Sequence, residues 1–183
     1  MSATPETTAA LVARPLLIVF AGRPGTGKTT LSRRVAAELQ AAVLRVDVIE
    51  AAIVRHGLGE HPVGPIGYAV IHDLALACLQ VGTTVVVDAV NPVPQARAAW
   101  APLARAAGVP LAVVEVSLND PDEHRRRVQQ RVSDLEGMVV PTWAQVIAGE
   151  YAPWQCARDG PRLEVDGAQD SAVAEILAYV ATV

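Results

Sequence analysis

The chain has 183 residues, a formal net charge of −4, and 51% hydrophobic against 19% charged residues, a balance that fits one domain with its own core and excludes an intrinsically disordered chain. That charge and an aromatic content of 4% argue against a bulk nucleic-acid binder, and no apolar run approaches the roughly 18 residues that read as a membrane span. The two cysteines, Cys78 and Cys156, and the four histidines show no metal-ligand spacing; so few thiols fit a reducing compartment, and the cytoplasm is the expected location.

Residues 1–13 are rich in Ala and Thr and lack Lys and Arg, which reads as a short disordered leader before a single domain over 14–183. Residues 16–21 (LLIVFA) form a continuous apolar run, the pattern of a buried strand. Three glycines and a proline over 22–27 make a loop, and from Lys28 the apolar period changes to that of a helix, with Leu31, Val35 and Leu39 in step. A second strand is predicted over 43–46, ending on Asp47, then a helix over 48–56 closed by Gly57. Residues 57–67 (GLGEHPVGPIG) read as a mobile loop of the kind that binds ligands. A helix over 68–81 and a third strand over 83–87 follow, the strand delivering Asp88. Asn91, Pro92 and Pro94 open a helix that ends at Gly108 and turns Trp100 and Leu103 inward. A fourth strand is predicted over 111–118, and Asp120-Pro121 starts a helix carrying Arg125, Arg126, Arg127 and Arg131. The stretch 133–143 is polar and broken, 143–149 is a short helix, 151–161 irregular, 162–165 a fifth strand, and a last helix follows Asp170-Ser171. Strands alternating with helices throughout imply a parallel sheet covered on both faces, with ligands at the carboxyl ends of the strands.

One segment carries most of the chemistry. Gly22-Arg23-Pro24-Gly25-Thr26-Gly27-Lys28-Thr29 fits G-x-x-x-x-G-K-[ST] and sits between a predicted strand and a predicted helix. Glycines let successive N–H groups turn toward phosphate oxygens, and the helix N-terminus adds its positive dipole end. Residues 22–29 and Thr30 are therefore the expected nucleotide-binding set. Lys28, the single lysine among 15 basic residues, would reach the β- and γ-phosphates, and the Thr29 hydroxyl would ligate Mg²⁺. The glycine spacing excludes a dinucleotide fingerprint, and an Asn-Lys-x-Asp guanine motif would need a second lysine.

Two carboxylates fall at predicted strand ends. Asp47 would accept or orient an acceptor hydroxyl proton, although Asp is also a favoured helix N-cap. Asp88, after Val85-Val86-Val87, is in the position of an acid that holds Mg²⁺; sequence leaves open which acid is the base and which the metal ligand. Arg127 and Arg131, four apart on one helix, are candidate transition-state arginines on a lid.

With the phosphate loop, residues 46–51 (VDVIEA) and residues 87–92 (VDAVNP) in view, the chain resembles the small P-loop kinases of the AAA-domain-like ATP-binding family. The stretch from Asp47 is similar to chloramphenicol phosphotransferases. The stretch from Asp88 to Pro92, with Arg97 and residues 107–110, is similar to the kinase domain of polynucleotide kinases, with Val90 where those have threonine. The resemblance covers roughly residues 15–135. It implies a three-layer P-loop fold like that of nucleoside monophosphate kinases, with five parallel strands and a small helical lid at about 125–143. It also implies ATP and Mg²⁺ as co-substrate and cofactor, Lys28 and Thr29 on phosphate and metal, Asp47 as base, and Arg127 or Arg131 from the lid. Asp47 and Asn91 are the expected acceptor-side contacts. The expected activity is phosphoryl transfer from ATP to a hydroxyl of a small molecule, with a polynucleotide 5′-hydroxyl kinase or a non-catalytic nucleotide switch as alternatives.

Overall fold

The computed structural model describes residues 14–183 apart from His61; the leader expected over 1–13 lies outside the described residues. Five strands form one sheet: β1 (Leu17–Ala21), β2 (Ala42–Arg45), β3 (Val85–Asp88), β4 (Leu111–Ser117) and β5 (Leu163–Asp166). Their order is β2-β3-β1-β4-β5 and every pairing is parallel. Successive side chains of β1 point to opposite faces. Ile18 and Phe20 enter a core with Val35 and Leu39 of α1 (Lys28–Leu39) and Ile176 of α9 (Ala172–Val180). Leu17 and Val19 enter the other core, with Ile71 and Leu79 of α3 (Ile66–Gln80) and Trp100 of α5 (Trp100–Ala107). Burial on both faces explains why β1 and β3 read as unbroken apolar runs. The three-layer α/β fold with five parallel strands is the one expected, and among the described residues no helix is long and apolar enough to cross a membrane.

Three local departures from the sequence-based expectation matter. Strand β2 ends at Arg45, and α2 (Val46–Arg55) starts on the next residue; Asp47 therefore sits in the first helical turn and not at a strand end. Arg45 is the N-cap, without a side-chain cap bond, so Asp47 does not cap the helix. The helix expected after Pro94 is two, α4 (Pro94–Ala98) and α5, broken at Ala99, because Pro102 has no N–H to give to the carbonyl of Ala98. The stretch expected to be irregular after Tyr151 holds a single turn, α8 (Cys156–Asp159).

The predicted lid arginines lie on and just after α6 (Pro121–Gln130), which starts on Asp120: its carboxylate accepts from the amides of Asp122 and Glu123. The lid expected to be helical over about 125–143 is helical only as far as Gln130; residues 131–142 have no regular structure and lead into α7 (Trp143–Ala148). A reciprocal capping box between Thr142 and Gln145 starts α7, and His124 meets Trp143 edge-on at 5.1 Å to tie α6 to α7.

Candidate functional site

The site is built where β1 ends. Gly22 has φ +141, and a Cβ there would stand 2.3 Å from the Val116 carbonyl oxygen; only glycine lets the chain turn so close to β4. The loop leads into α1, whose N-cap Gly27 offers no side-chain cap and whose first turn holds no acidic residue. The first amides of a helix have no intrahelical acceptor, so this end is left open to an anion. The loop is braced from outside. His124 Nε2 lies 2.8 Å from the Pro24 carbonyl, and the turn after β5 brings Gly167 so close that a Cβ on it would stand 1.9 Å from the Thr26 carbonyl oxygen. Gly167 is a structural partner of the loop that local sequence does not announce.

Lys28 is 7% exposed. Burial holds its ammonium below the ordinary lysine pKa, against the opposing pull of Asp88 and then Asp47. The Thr29 hydroxyl donates to Asp88 Oδ2 at 2.6 Å, joining the last motif residue to the end of β3. Asp88 is 2% exposed, and its other oxygen, Oδ1, is buried with no hydrogen-bond partner among the described residues. A buried carboxylate oxygen left without a donor, beside a hydroxyl, is the donor set of a hard divalent cation. Among the described residues no group of three or more His, Cys, Asp or Glu is assembled for a metal, and Mg²⁺ beside a nucleotide does not need one, because phosphates and water complete its shell.

The charged hub of the site is Arg45, which no sequence motif marks. Parallel register places it opposite Asp88. Its guanidinium is 5% exposed and donates to Asp47 Oδ2 at 2.8 Å and to both oxygens of Asp134 at 2.9 Å, with Nε 3.6 Å from Asp88 Oδ2. Arg131 lies 3.6 Å from Asp47, and Arg33 reaches Asp134 at 2.8 Å. Bonded first of all to Arg45, the Asp134 carboxyl is held down at about 2. Residue 134 belongs to the predicted lid, so a buried arginine on the sheet links the lid to both acids.

Two cavities flank the loop. A cleft of about 480 Å³ is lined by Gly25, Gly27, Lys28, Thr29, Thr30, Arg127 and Arg131, so the loop, the end of α1 and both lid arginines face one space. Arg127 also donates to Glu123 at 2.6 Å and to the Gly167 carbonyl at 3.1 Å. On the other side a cavity of about 300 Å³ lies between Arg23 and Pro24 of the loop and Asp47, Glu50 and Tyr68. Burial first, and Asp47 second, push the Glu50 carboxyl up to about 7. Burial likewise lifts the Tyr68 phenol to about 12, and its oxygen accepts from the backbone N–H of Asn91 at 3.0 Å. A third cavity, about 500 Å³ around Arg97, Trp100 and Trp154, is not lined by the loop.

Two expected contacts are placed elsewhere. Asn91 is 1% exposed; its amide nitrogen donates to the Phe20 carbonyl at 2.9 Å and its amide oxygen accepts from Trp100 Nε1 at 2.9 Å. It locks the turn after β3, where it adopts φ +49, and its side chain is not on the acceptor side. The Arg23 guanidinium turns from the phosphate cleft to the carbonyls of Val146 at 2.5 Å and Gly149 at 3.2 Å, so only its backbone shapes the loop.

An AAA domain family model (AAA_33) matches residues 17–144. A search of curated protein sequences finds no match. Among solved structures, the chain is similar to a protein of Chloroflexus aurantiacus provisionally described as a kinase, at 22% identity and TM-score 0.71 over 92% of this chain and 98% of that one. It is also similar to the Mycobacterium tuberculosis APS kinase CysC, solved with AMPPNP and APS, at 20% identity and TM-score 0.67 over 91% and 98%. A third is Chaetomium thermophilum Kti12, solved with ADP-AlF3, at 19% identity and TM-score 0.64 over 88% and 95%. At these identities the likeness is one of fold.

Proposed function

The chain belongs to the AAA domain family, and from that premise we propose that it is an ATP-dependent phosphotransferase that moves the γ-phosphoryl group of ATP to a hydroxyl of a small molecule. One observation carries the reading: the phosphate loop separates a cleft lined with cationic side chains from a smaller cavity whose wall holds Asp47. A donor and an acceptor would thus meet across the loop.

In this account the amides of residues 25–29 and the Lys28 ammonium hold the phosphates, and Arg127 and Arg131 balance charge on the transferring group. Mg²⁺, for which Thr29 and Asp88 are the proposed ligands, neutralises charge on the phosphate oxygens when bound. The acceptor hydroxyl oxygen attacks the γ-phosphorus, an O–P bond forms, the bond to the β–γ bridging oxygen breaks, and ADP leaves. The hydroxyl proton passes to Asp47, whose carboxylate is kept oriented by Arg45 and Arg131. A 5′-hydroxyl of a polynucleotide suits this cavity poorly, because three carboxylates line it against a single cation, Arg23.

The test is Asp47→Asn, assayed for ATP-dependent phosphate transfer across a panel of hydroxyl compounds. Loss of a general base predicts a fall in kcat of about 10²–10⁴-fold with nucleotide binding retained. Full transfer by the variant removes Asp47 from the mechanism. ATP hydrolysis indifferent to every hydroxyl compound favours a nucleotide switch instead.

A further inference from the structure

The two halves of the site carry opposite charge. The nucleotide cleft holds Lys28, Arg33, Arg45, Arg127 and Arg131 against a single acid, Asp134. The acceptor cavity holds Asp47, Glu50 and Glu150 against a single cation, Arg23. That one guanidinium is occupied: it donates to the carbonyls of Val146 and Gly149 and lies 5.1 Å from the centre of the Tyr151 ring. Asp47 is balanced by Arg45 and Arg131. Among the described residues neither Glu50 nor Glu150 enters an ion pair.

Glu50 is also given room. A Cβ on Gly67 of α3 would stand 3.0 Å from Glu50 Cγ and 3.3 Å from its Oε1, so glycine at that point of the helix lets the carboxyl lie against α3. Asp47 and Glu50 are three apart on α2, which puts their Cβ atoms roughly 5–6 Å from each other on one face. Apart from Gln145, the remaining wall is apolar or aromatic, with Val46, Val90, Pro92 and the rings of Tyr68 and Tyr151.

Resting on the phosphotransferase reading above, we propose that the acceptor is a small hydroxyl-bearing amine, its ammonium held by Glu50 and its hydroxyl presented to Asp47. The spacing of the two acids asks for an ammonium and a hydroxyl a few bonds apart. The apolar wall asks for a carbon framework rather than a fully hydroxylated one, and aromatic faces beside the carboxylates favour a cation. A carboxylate, sulfate or phosphate on the acceptor would meet the unpaired Glu50 and Glu150 and a single cation, Arg23, already engaged elsewhere, at a repulsive cost. A cationic guest would complete Glu50, whose carboxyl is pushed toward neutrality by burial first and by Asp47 second. Phosphoryl transfer proceeds as written above, the oxygen of the amine's hydroxyl taking the γ-phosphorus and its proton passing to Asp47.

The experiment uses the full chain with Mg²⁺ and ATP, and three sets of acceptors on shared carbon skeletons: hydroxy amines, neutral polyols and hydroxy acids. Phenylethanolamine, phenylethylene glycol and mandelate form one such trio. The expected result is that acceptors concentrate in the amine set, with kcat/KM at least tenfold above the neutral counterpart and no transfer to the acid. In Glu50→Gln the amine-to-neutral preference falls at least tenfold, mainly through KM; Glu50→Asp, which keeps the charge, retains part of it. Glu50→Met, uncharged and close in volume, carries the comparison if Glu50→Gln melts before assay temperature. Transfer to neutral or acidic acceptors as good as to their amine partners overturns the inference and leaves the phosphotransferase reading standing. So does an amine preference that survives loss of the Glu50 charge. No transfer to any set, from protein that binds ATP, overturns both.

Discussion

Arg45 concentrates the physics of the site in one side chain. Its guanidinium serves Asp47, Asp88 and Asp134 while nearly hidden from water, and it stands beside two acids that the fold draws together at the carboxyl ends of β2 and β3. Removing one member of a buried charge cluster leaves the others without compensation, typically at a cost of about 3–5 kcal/mol. Arg45→Met is therefore expected to lower the unfolding free energy measured in urea by that amount, with a matching fall in the midpoint, and to abolish transfer. Asp134→Asn, at a half-exposed position, is expected to cost about 0–1 kcal/mol. Equal midpoints for the two variants would contradict the hub. Arg45 was not legible in the sequence, because a lone arginine in a short strand reads as a solvated edge residue. Only the register that sets it opposite Asp88 shows that it is inside. Asn91 is the opposite case: it follows Asp88, the proposed metal ligand, by three residues, yet its side-chain amide closes a buried turn between Phe20 and Trp100.

At the scale of elements, the phosphate loop, its strand and its helix were readable, because the whole constraint lies in consecutive residues. Its bracing was not, since Gly167 and Val116 come from distant segments. Gly167→Ala drives a methyl group into the Thr26 carbonyl; overpacking of this kind costs about 1–3 kcal/mol, and because the strain falls on the loop, ATP affinity is expected to fall with it. A calorimetric titration that finds unaltered affinity would separate the β5–α9 turn from the loop. The junction of β2 with α2 has a second consequence. By starting the helix at Val46 it sets Glu50 one turn after Asp47, facing α3, and the Glu50 carboxyl rises from 4.5 to about 7. A folded state that holds this proton more tightly than the unfolded chain is most favoured below the unfolded pKa, and the contribution is lost as pH climbs through the window from 4.5 to about 7. Glu50→Gln is expected to melt with the parent protein near the bottom of that window and above it at its top. Parallel melting curves at both ends would show that Glu50 is not desolvated.

Across the whole molecule, a chain of net charge −4 gathers its only lysine and four arginines around one cleft and leaves three carboxylates around the next. The sheet makes this possible: five parallel strands aim their carboxyl ends at one edge, and the phosphate loop at the end of β1 divides that edge in two. The three-layer arrangement was legible because β-α alternation with apolar strands admits few solutions. The division of charge was not, because it depends on which way Arg23, Arg45 and Glu50 turn. If the cleft is a nucleotide site, ATP with Mg²⁺ at a hundred times its dissociation constant would stabilise the fold by about 2.7 kcal/mol, raising the melting temperature by roughly 5–10 °C for a chain of this size. Calorimetric titration of ATP, with and without Mg²⁺, into the protein and its Lys28→Ala and Asp88→Asn variants tests this most directly. Saturable binding that is lost in Lys28→Ala, and that loses its dependence on Mg²⁺ in Asp88→Asn, is the predicted result; an absence of heat from the unaltered protein in the presence of Mg²⁺ would contradict it.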